Sequence, residues 1–237
     1  MKTVVFTHGM WERNWIFKNF AKECRKYGYP TKFINLPDQK NGSETLARIE
    51  DRVEYIVSQI VSLEKIILIG HSLGGLLSIG ASLHPSIKDR VEKIVLLNSA
   101  PLGRSFLSFE VLKRIWRYLP KLRSDSTFEL RYEDAFALEL KHVEDPHQVY
   151  AQMTEESGVV ARQMALWQYL PDTKQVPCPV LVIGAQNDQI TPPRIQRKNV
   201  RLLPNALYKE FPGGHMLPIE PLWPAVARDI QKFLEGN

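Results

Sequence analysis

The chain has 237 residues, of which 44% are hydrophobic, and a formal net charge of +5. That size and apolar content suit an α/β fold with an insertion and a substantial core. Two unrelated cysteines, Cys24 and Cys178, fit a reducing cytoplasm and exclude a disulfide framework or a Cys-rich metal site, and no apolar run reaches the roughly 18 residues of a membrane helix.

The basic residues are scattered, and their densest cluster, Lys113–Arg123, is interleaved with Ile115, Trp116, Tyr118, Leu119 and Leu122. This reads as the solvated face of an amphipathic helix in preference to a nucleic-acid or lipid patch. The apolar part of the N-terminus is too short for a signal peptide and already looks structural.

In chain order, Thr3–Thr7 is a buried strand ended by His8-Gly9-Met10-Trp11. Trp15–Lys26 has helical spacing with Phe17, Phe20, Ala21 and Cys24 on one side. Thr31–Leu36 is a second strand, closed by Pro37-Asp38. Glu44–Ser62 is an amphipathic helix whose stripe is Leu46, Ile49, Val53, Ile56, Val57 and Ile60. Ile66–Ile69 is a third strand, and after Gly75 the run Leu76, Leu77, Ile79, Gly80, Ala81 and Leu83 reads as a helix packed on the sheet. Val91–Leu97 is a fourth strand. Strand and helix alternate, which predicts parallel strands joined by right-handed crossovers, with ligands held outside their carboxyl ends.

The alternation stops at Gly103. From there to about Leu170 no strand signal occurs, and Phe106–Leu119, Phe128–Leu140, Pro146–Glu156 and Val159–Leu170 look helical. An inserted helical layer over 103–170 follows, between core segments 1–102 and 171–237. Most of its aromatics, Phe106, Phe109, Trp116, Tyr132, Phe136, Tyr150, Trp167 and Tyr169, should form its own core, and a minority should line an apolar pocket. Val180–Ile183 and Ala206–Phe211 are then strands, and Ile195–Leu202 and Pro221–Leu234 helices.

The chemistry concentrates around Gly70-His-Ser-Leu-Gly-Gly75, which lies between the third strand and its helix. A chain reversing that sharply forces Ser72 into a strained conformation, with Gly70 and Gly74 where a Cβ would collide. Ser72 is thus the candidate nucleophile, held at a helix N-terminus. A serine hydroxyl needs an adjacent base. Of the six histidines, His71 should point away from Ser72, His84 precedes Pro85, and His142 and His147 lie in the insertion. His215 follows the last strand at the correct edge and is the candidate base. Asp188, after Val180–Ile183, is the candidate carboxylate partner, the alternative being a mere turn former. The oxyanion donors are the backbone N–H groups of Leu73 and Met10, with Trp11 as fallback and His8 and Gly9 supporting the loop.

These motifs resemble the α/β-hydrolase superfamily, in its lid-bearing serine esterase and lipase-like branch: His8-Gly9, Gly70 to Gly75, Asp188-x-x-x-Pro192 and Gly213-Gly-His215, in that order. The resemblance spans nearly the whole chain. It implies a mostly parallel sheet with helices on both faces and a helical lid over 103–170. Because the chain starts at the strand before His8-Gly9, two strands with which the family usually opens are absent, leaving about six. Ser72 in place of an Asp disfavours the epoxide-hydrolase and haloalkane-dehalogenase branches. The resemblance implies a soluble serine hydrolase acting on small to medium carboxylic esters or thioesters, using no metal or organic cofactor. Rival readings are a lyase or C–C bond hydrolase of the same fold, or a ligand-binding protein that retains the triad. Oligomeric state is not fixed by the sequence.

Overall fold

The computed structural model describes residues 1–36, 48–124 and 126–236. In chain order the first half comprises β1 (Lys2–Thr7), α1 (Lys18–Lys26), β2 (Thr31–Ile34), α2 (Ile49–Ile60), β3 (Lys65–His71), α3 (Leu73–Ser82) and β4 (Val91–Leu97). A 3-10 turn, Asn14–Phe17, occupies the start of what the sequence pattern predicts as one helix with α1. The predicted turn at Pro37-Asp38 and the stripe residue Leu46 lie outside the described residues.

Short elements follow: α4 (Phe109–Ile115), α5 (Leu119–Arg123), β5 (Thr127–Phe128), α6 (Tyr132–Ala135) running into one π-helical turn (Phe136–Leu140), α7 (Pro146–Tyr150), β6 (Glu156–Ser157) and α8 (Gly158–Ala165). β7 (Val180–Ala185), α9 (Pro193–Leu202), β8 (Ala206–Phe211) and α10 (Trp223–Glu235) complete the chain.

Six strands form one sheet in the order β2-β1-β3-β4-β7-β8. Every pairing in it is parallel. Alternate residues serve opposite faces, as the strand period of two requires. Val5, Ile66, Leu68, Ile94, Leu96 and Val182 pack with the stripes of α2 and α3. Val4, Phe6, Ile67, Ile69, Leu97 and Ile183 pack on the other face with Phe20 of α1 and Ile230 of α10. Coverage of both faces explains why these strands read as continuous apolar runs. Each such side chain contributes about 1.5–3 kcal/mol on burial.

Between β4 and β7 two expectations are corrected. β5 and β6 pair antiparallel, where no strand is expected. Strands of two residues carry no alternation for a pattern to reveal. The predicted helices are also shorter than expected: α7 ends at Tyr150 and α8 at Ala165. Side-chain caps mark three of the starts: the Ser108 hydroxyl accepts from Val111 N–H at 3.1 Å, Asp145 from Gln148 N–H at 2.9 Å, and Ser157 from Val160 N–H at 3.3 Å.

The amphipathic reading of Lys113–Arg123 also needs revision. Tyr118 and Leu122 are buried, but Phe109, Leu112, Trp116 and Leu119 stand in solvent beside Lys113 and Arg117. The inward side of α4 is taken by Val111 and Ile115, leaving the larger residues outside. Phe109 and Trp116 therefore do not join an inner core. Tyr132 is half-buried and stacks on the exposed His147 at 4.4 Å, meeting Tyr150 edge-on at 5.2 Å.

Candidate active site

Ser72 joins β3 to α3 with φ 51° and ψ −121°, a conformation non-glycine residues rarely adopt and which stores about 1–3 kcal/mol. The turn is so tight that a Cβ on Gly74 would lie 2.1 Å from the Thr7 carbonyl oxygen, and one on Gly70 2.3 Å from the Gly74 oxygen. Hydrogen bonds stitch the turn to the end of β4. Ser72 N–H donates to the Leu97 carbonyl at 3.0 Å, and the Ser72 carbonyl accepts from Ala100 N–H at 2.9 Å. The surroundings thus over-determine the strained serine.

His215 Nδ1 lies 2.9 Å from Asp188 Oδ2, with both side chains buried. A carboxylate there accepts, so Nδ1 carries the proton and Nε2 is left with its lone pair. Asp188 also accepts from the N–H groups of Ile190 and Thr191 and from the Thr191 hydroxyl, each at 2.8 Å. Turn former and histidine partner, the two alternatives for this residue, coexist in one carboxyl group. Burial pushes that carboxyl up, but its pairing with His215 and the hydrogen bonds from Thr191 outweigh it and hold it below the usual aspartate value.

The loop after β1 approaches the serine closely: a Cβ on Gly9 would lie 2.8 Å from Ser72 Cβ. His8 Nδ1 donates to the Gly9 carbonyl at 2.9 Å. Burial drives the His8 imidazole down to about 4, so it is neutral at ordinary pH. Leu73 N–H, first in α3, has no intrahelical acceptor. Met10, Trp11 and Ser72 share the wall of one cavity.

A buried pair behind the elbow escapes sequence reasoning. Glu12 accepts from Gly9 N–H at 2.7 Å and from His71 Nδ1 at 2.9 Å, while His71 Nε2 donates to the His215 carbonyl at 2.8 Å. Facing two acceptors, His71 carries both protons and is an imidazolium beside a carboxylate. Although burial opposes charge at both, the pairing prevails: the His71 imidazole is raised and the Glu12 carboxyl lowered. The side chain of His71 thus ties the β1 loop to the His215 loop. Asn98, at φ 42° just past β4, adds a second clamp, its Nδ2 donating to the carbonyls of Gly214 and His215 at 2.8 Å each. Glu12, His71 and His215 do gather metal-binding atom types, but both His71 nitrogens are already spent as donors.

The cavity holds about 140 Å³, close to the size that accommodates a six-membered carbon ring. Besides Ser72 its wall includes Phe106, Val111, Ile115, Tyr118, Phe128, Leu138 and Met164 from the segment between β4 and β7. Of the aromatics singled out by sequence, only Phe106 lies on this wall; Trp11, Tyr118 and Phe128 supply the others. Apolar residues dominate it, and Glu139 stands among them.

The alpha/beta hydrolase family profile matches residues 4–228, and the chain belongs to that family. Comparison with curated proteins finds no match. Among solved structures the chain is similar to a monoacylglycerol lipase from Paleococcus ferrophilus, with 21% identity, TM-score 0.72, and coverage of 98% of this chain and 93% of that one. It is also similar to a carboxylesterase from Bacillus subtilis, with 18% identity, TM-score 0.71, and coverage of 100% and 84%. A 2-hydroxy-6-oxo-6-phenylhexa-2,4-dienoate hydrolase from Rhodococcus aligns with 16% identity, TM-score 0.73, and coverage of 99% and 90%. At such identities the likeness concerns the fold. No described helix is long and apolar enough to cross a membrane.

Proposed function

We propose that this chain is a serine hydrolase cleaving carboxylic esters or thioesters with small to medium acyl groups. The observation carrying the proposal is the strained Ser72 on the wall of an apolar cavity, at the sheet edge where His215 is held by Asp188. In this reading Ser72 Oγ attacks the scissile carbonyl while its proton passes to His215 Nε2. The N–H groups of Leu73 and Met10, or Trp11 in place of Met10, stabilise the oxyanion. Collapse expels the alcohol or thiol, which takes the proton from His215. Water, deprotonated by His215, then releases the acid and regenerates Ser72. Asp188 fixes the imidazole tautomer and balances its transient charge. Residues 103–170 act as a lid that shapes the acyl site, a role supported by their share of the cavity wall.

The test is covalent labelling with a fluorophosphonate probe together with an acyl-chain profile of p-nitrophenyl esters. Wild type should label and turn over, and Ser72→Ala should do neither, with kcat/KM reduced on the order of 10⁴-fold or more. Undiminished labelling of the variant would overturn the assignment. Labelling of Ser72 without ester turnover would favour a lyase, C–C bond hydrolase or binding protein instead.

A further inference from the structure

Glu139 is out of place by the ordinary rules of burial. It is 3% exposed, and its Oε2 is buried with no hydrogen-bond partner among the described residues. A buried carboxyl without a partner is costly and calls for an explanation. It sits on the wall of the same cavity as Ser72, Met10 and Trp11. The backbone that presents it is the π-helical turn Phe136–Leu140, a rare geometry that recurs at functional sites.

The charged groups around it decide its state. Desolvation raises its carboxyl well above the usual value, and the Glu12 and Asp188 carboxylates raise it further. The other charged residue on the wall, Arg114, is engaged by Glu110 at 2.5 Å and by Asp134 at 3.3 Å. Burial without a cation to pair with thus favours the protonated carboxyl of Glu139, which carries one O–H donor and free acceptor capacity.

We infer that Glu139 is a specificity residue, whose buried carboxyl hydrogen-bonds a neutral oxygen, hydroxyl or oxo, on the acyl group entering the cavity. The inference rests on the ester-hydrolase reading and narrows its substrate class to oxygen-bearing acyl groups. A plain hydrocarbon acyl group filling the cavity would displace any water at the carboxyl and leave Glu139 unpaired. An acyl oxygen in that place restores the bond. A site built to pair a polar group discriminates strongly against an analogue lacking it. A cationic substituent is the weaker fit, because Glu139 offers it no charge.

The experiment compares p-nitrophenyl butanoate with its 2-hydroxy, 3-hydroxy, 3-oxo and 3-amino counterparts, on wild type, Glu139→Gln and Glu139→Leu. In wild type at least one hydroxy or oxo ester should exceed butanoate in kcat/KM by roughly 10-fold or more, the factor expected for a buried group left unpaired. Glu139→Leu should abolish that ratio, and Glu139→Gln, which still donates and accepts, should retain most of it. If Glu139→Leu does not fold, the wild-type ratio and the Gln variant still decide. The inference is overturned by a wild-type preference for butanoate, by a ratio surviving in the Leu variant, or by preference for the amino ester. Fluorophosphonate labelling separates the two levels. A wild type that labels and cleaves butanoate but shows no oxygen preference refutes only the role of Glu139. A wild type that neither labels nor cleaves any of these esters refutes the ester-hydrolase reading itself.

Discussion

Arg52 of α2 and Glu156 of β6 form a two-pronged ion pair, at 2.5 and 3.1 Å, with both side chains nearly inaccessible to solvent. The pair joins the segment between β4 and β7 to the sheet-packed helix α2. Gln163 reinforces the joint: it accepts from Ile49 N–H at 2.8 Å and donates to Glu50 at 2.7 Å. Any opening of the cavity must therefore bend elsewhere, since this corner is fastened to the core.

Arg52→Met should destabilise the protein by about 3–5 kcal/mol, because it strands the Glu156 charge in the interior. Urea unfolding measures it. The double variant Arg52→Met, Glu156→Leu should recover much of the loss, since replacing a buried pair by apolar residues is often nearly neutral. A loss under about 1 kcal/mol in the single variant would place the pair among ordinary surface bridges.

Asp188→Asn should lower kcat/KM for an ester by roughly 10²–10⁴-fold, because the amide favours the wrong His215 tautomer. The turn made with Ile190 and Thr191 can persist, as an Asn oxygen also accepts backbone N–H groups. Retention of more than about half the wild-type kcat/KM would leave Asp188 as a turn former only.

Glu12→Gln should lower stability in a pH-dependent way. His71 has its imidazole raised above 6.5 in the fold, so its contribution is complete below that value and fades as pH climbs through the elevated one. Glu12 has its carboxyl lowered below 4.5, so its contribution is present above that value and fades on acidification through the depressed one. The Tm gap between wild type and Glu12→Gln should therefore be widest between these two reference values and narrow on the alkaline side. Thermal melts across a pH series check this, and a gap independent of pH would mean the pair is not ionic.

Legibility in the sequence followed signal length. The strand before Ser72 and its two collision-prone glycines are local patterns, and the strand, tight turn and helix they imply are found in the fold. Glu12 and His71 are 59 positions apart and meet only because β1 and β3 are neighbours in the sheet. What the His71 side chain meets, Glu12 and the His215 carbonyl, is a tertiary fact. Glu139 sits in a helical stretch where a charged residue reads as solvent-facing, and nothing in the spacing announces a π turn. The ribbon of Thr127–Phe128 with Glu156–Ser157 is set by pairing across distance, which overrides weak local preference.

Ile94 of β4 is paired with Val180 of β7, so the central sheet closes across the whole intervening segment. Closing a loop costs entropy that grows only logarithmically, about 0.6 kcal/mol for each doubling of length. The loop-closure part of the equilibrium penalty for rewriting that segment is therefore small, provided the fastening at Arg52 and the buried side chains such as Phe128 and Leu140 are kept. The burden falls on kinetics, because long-range parallel pairing is slow to form. The β1–β3–β4 half of the sheet can assemble from nearer neighbours while β7 and β8 wait for the chain to return. Until they arrive, the β4 edge is open, with Ile94 to Leu97 unpaired on that side. Grafting experiments on this scaffold should thus be judged by refolding yield as much as by final stability.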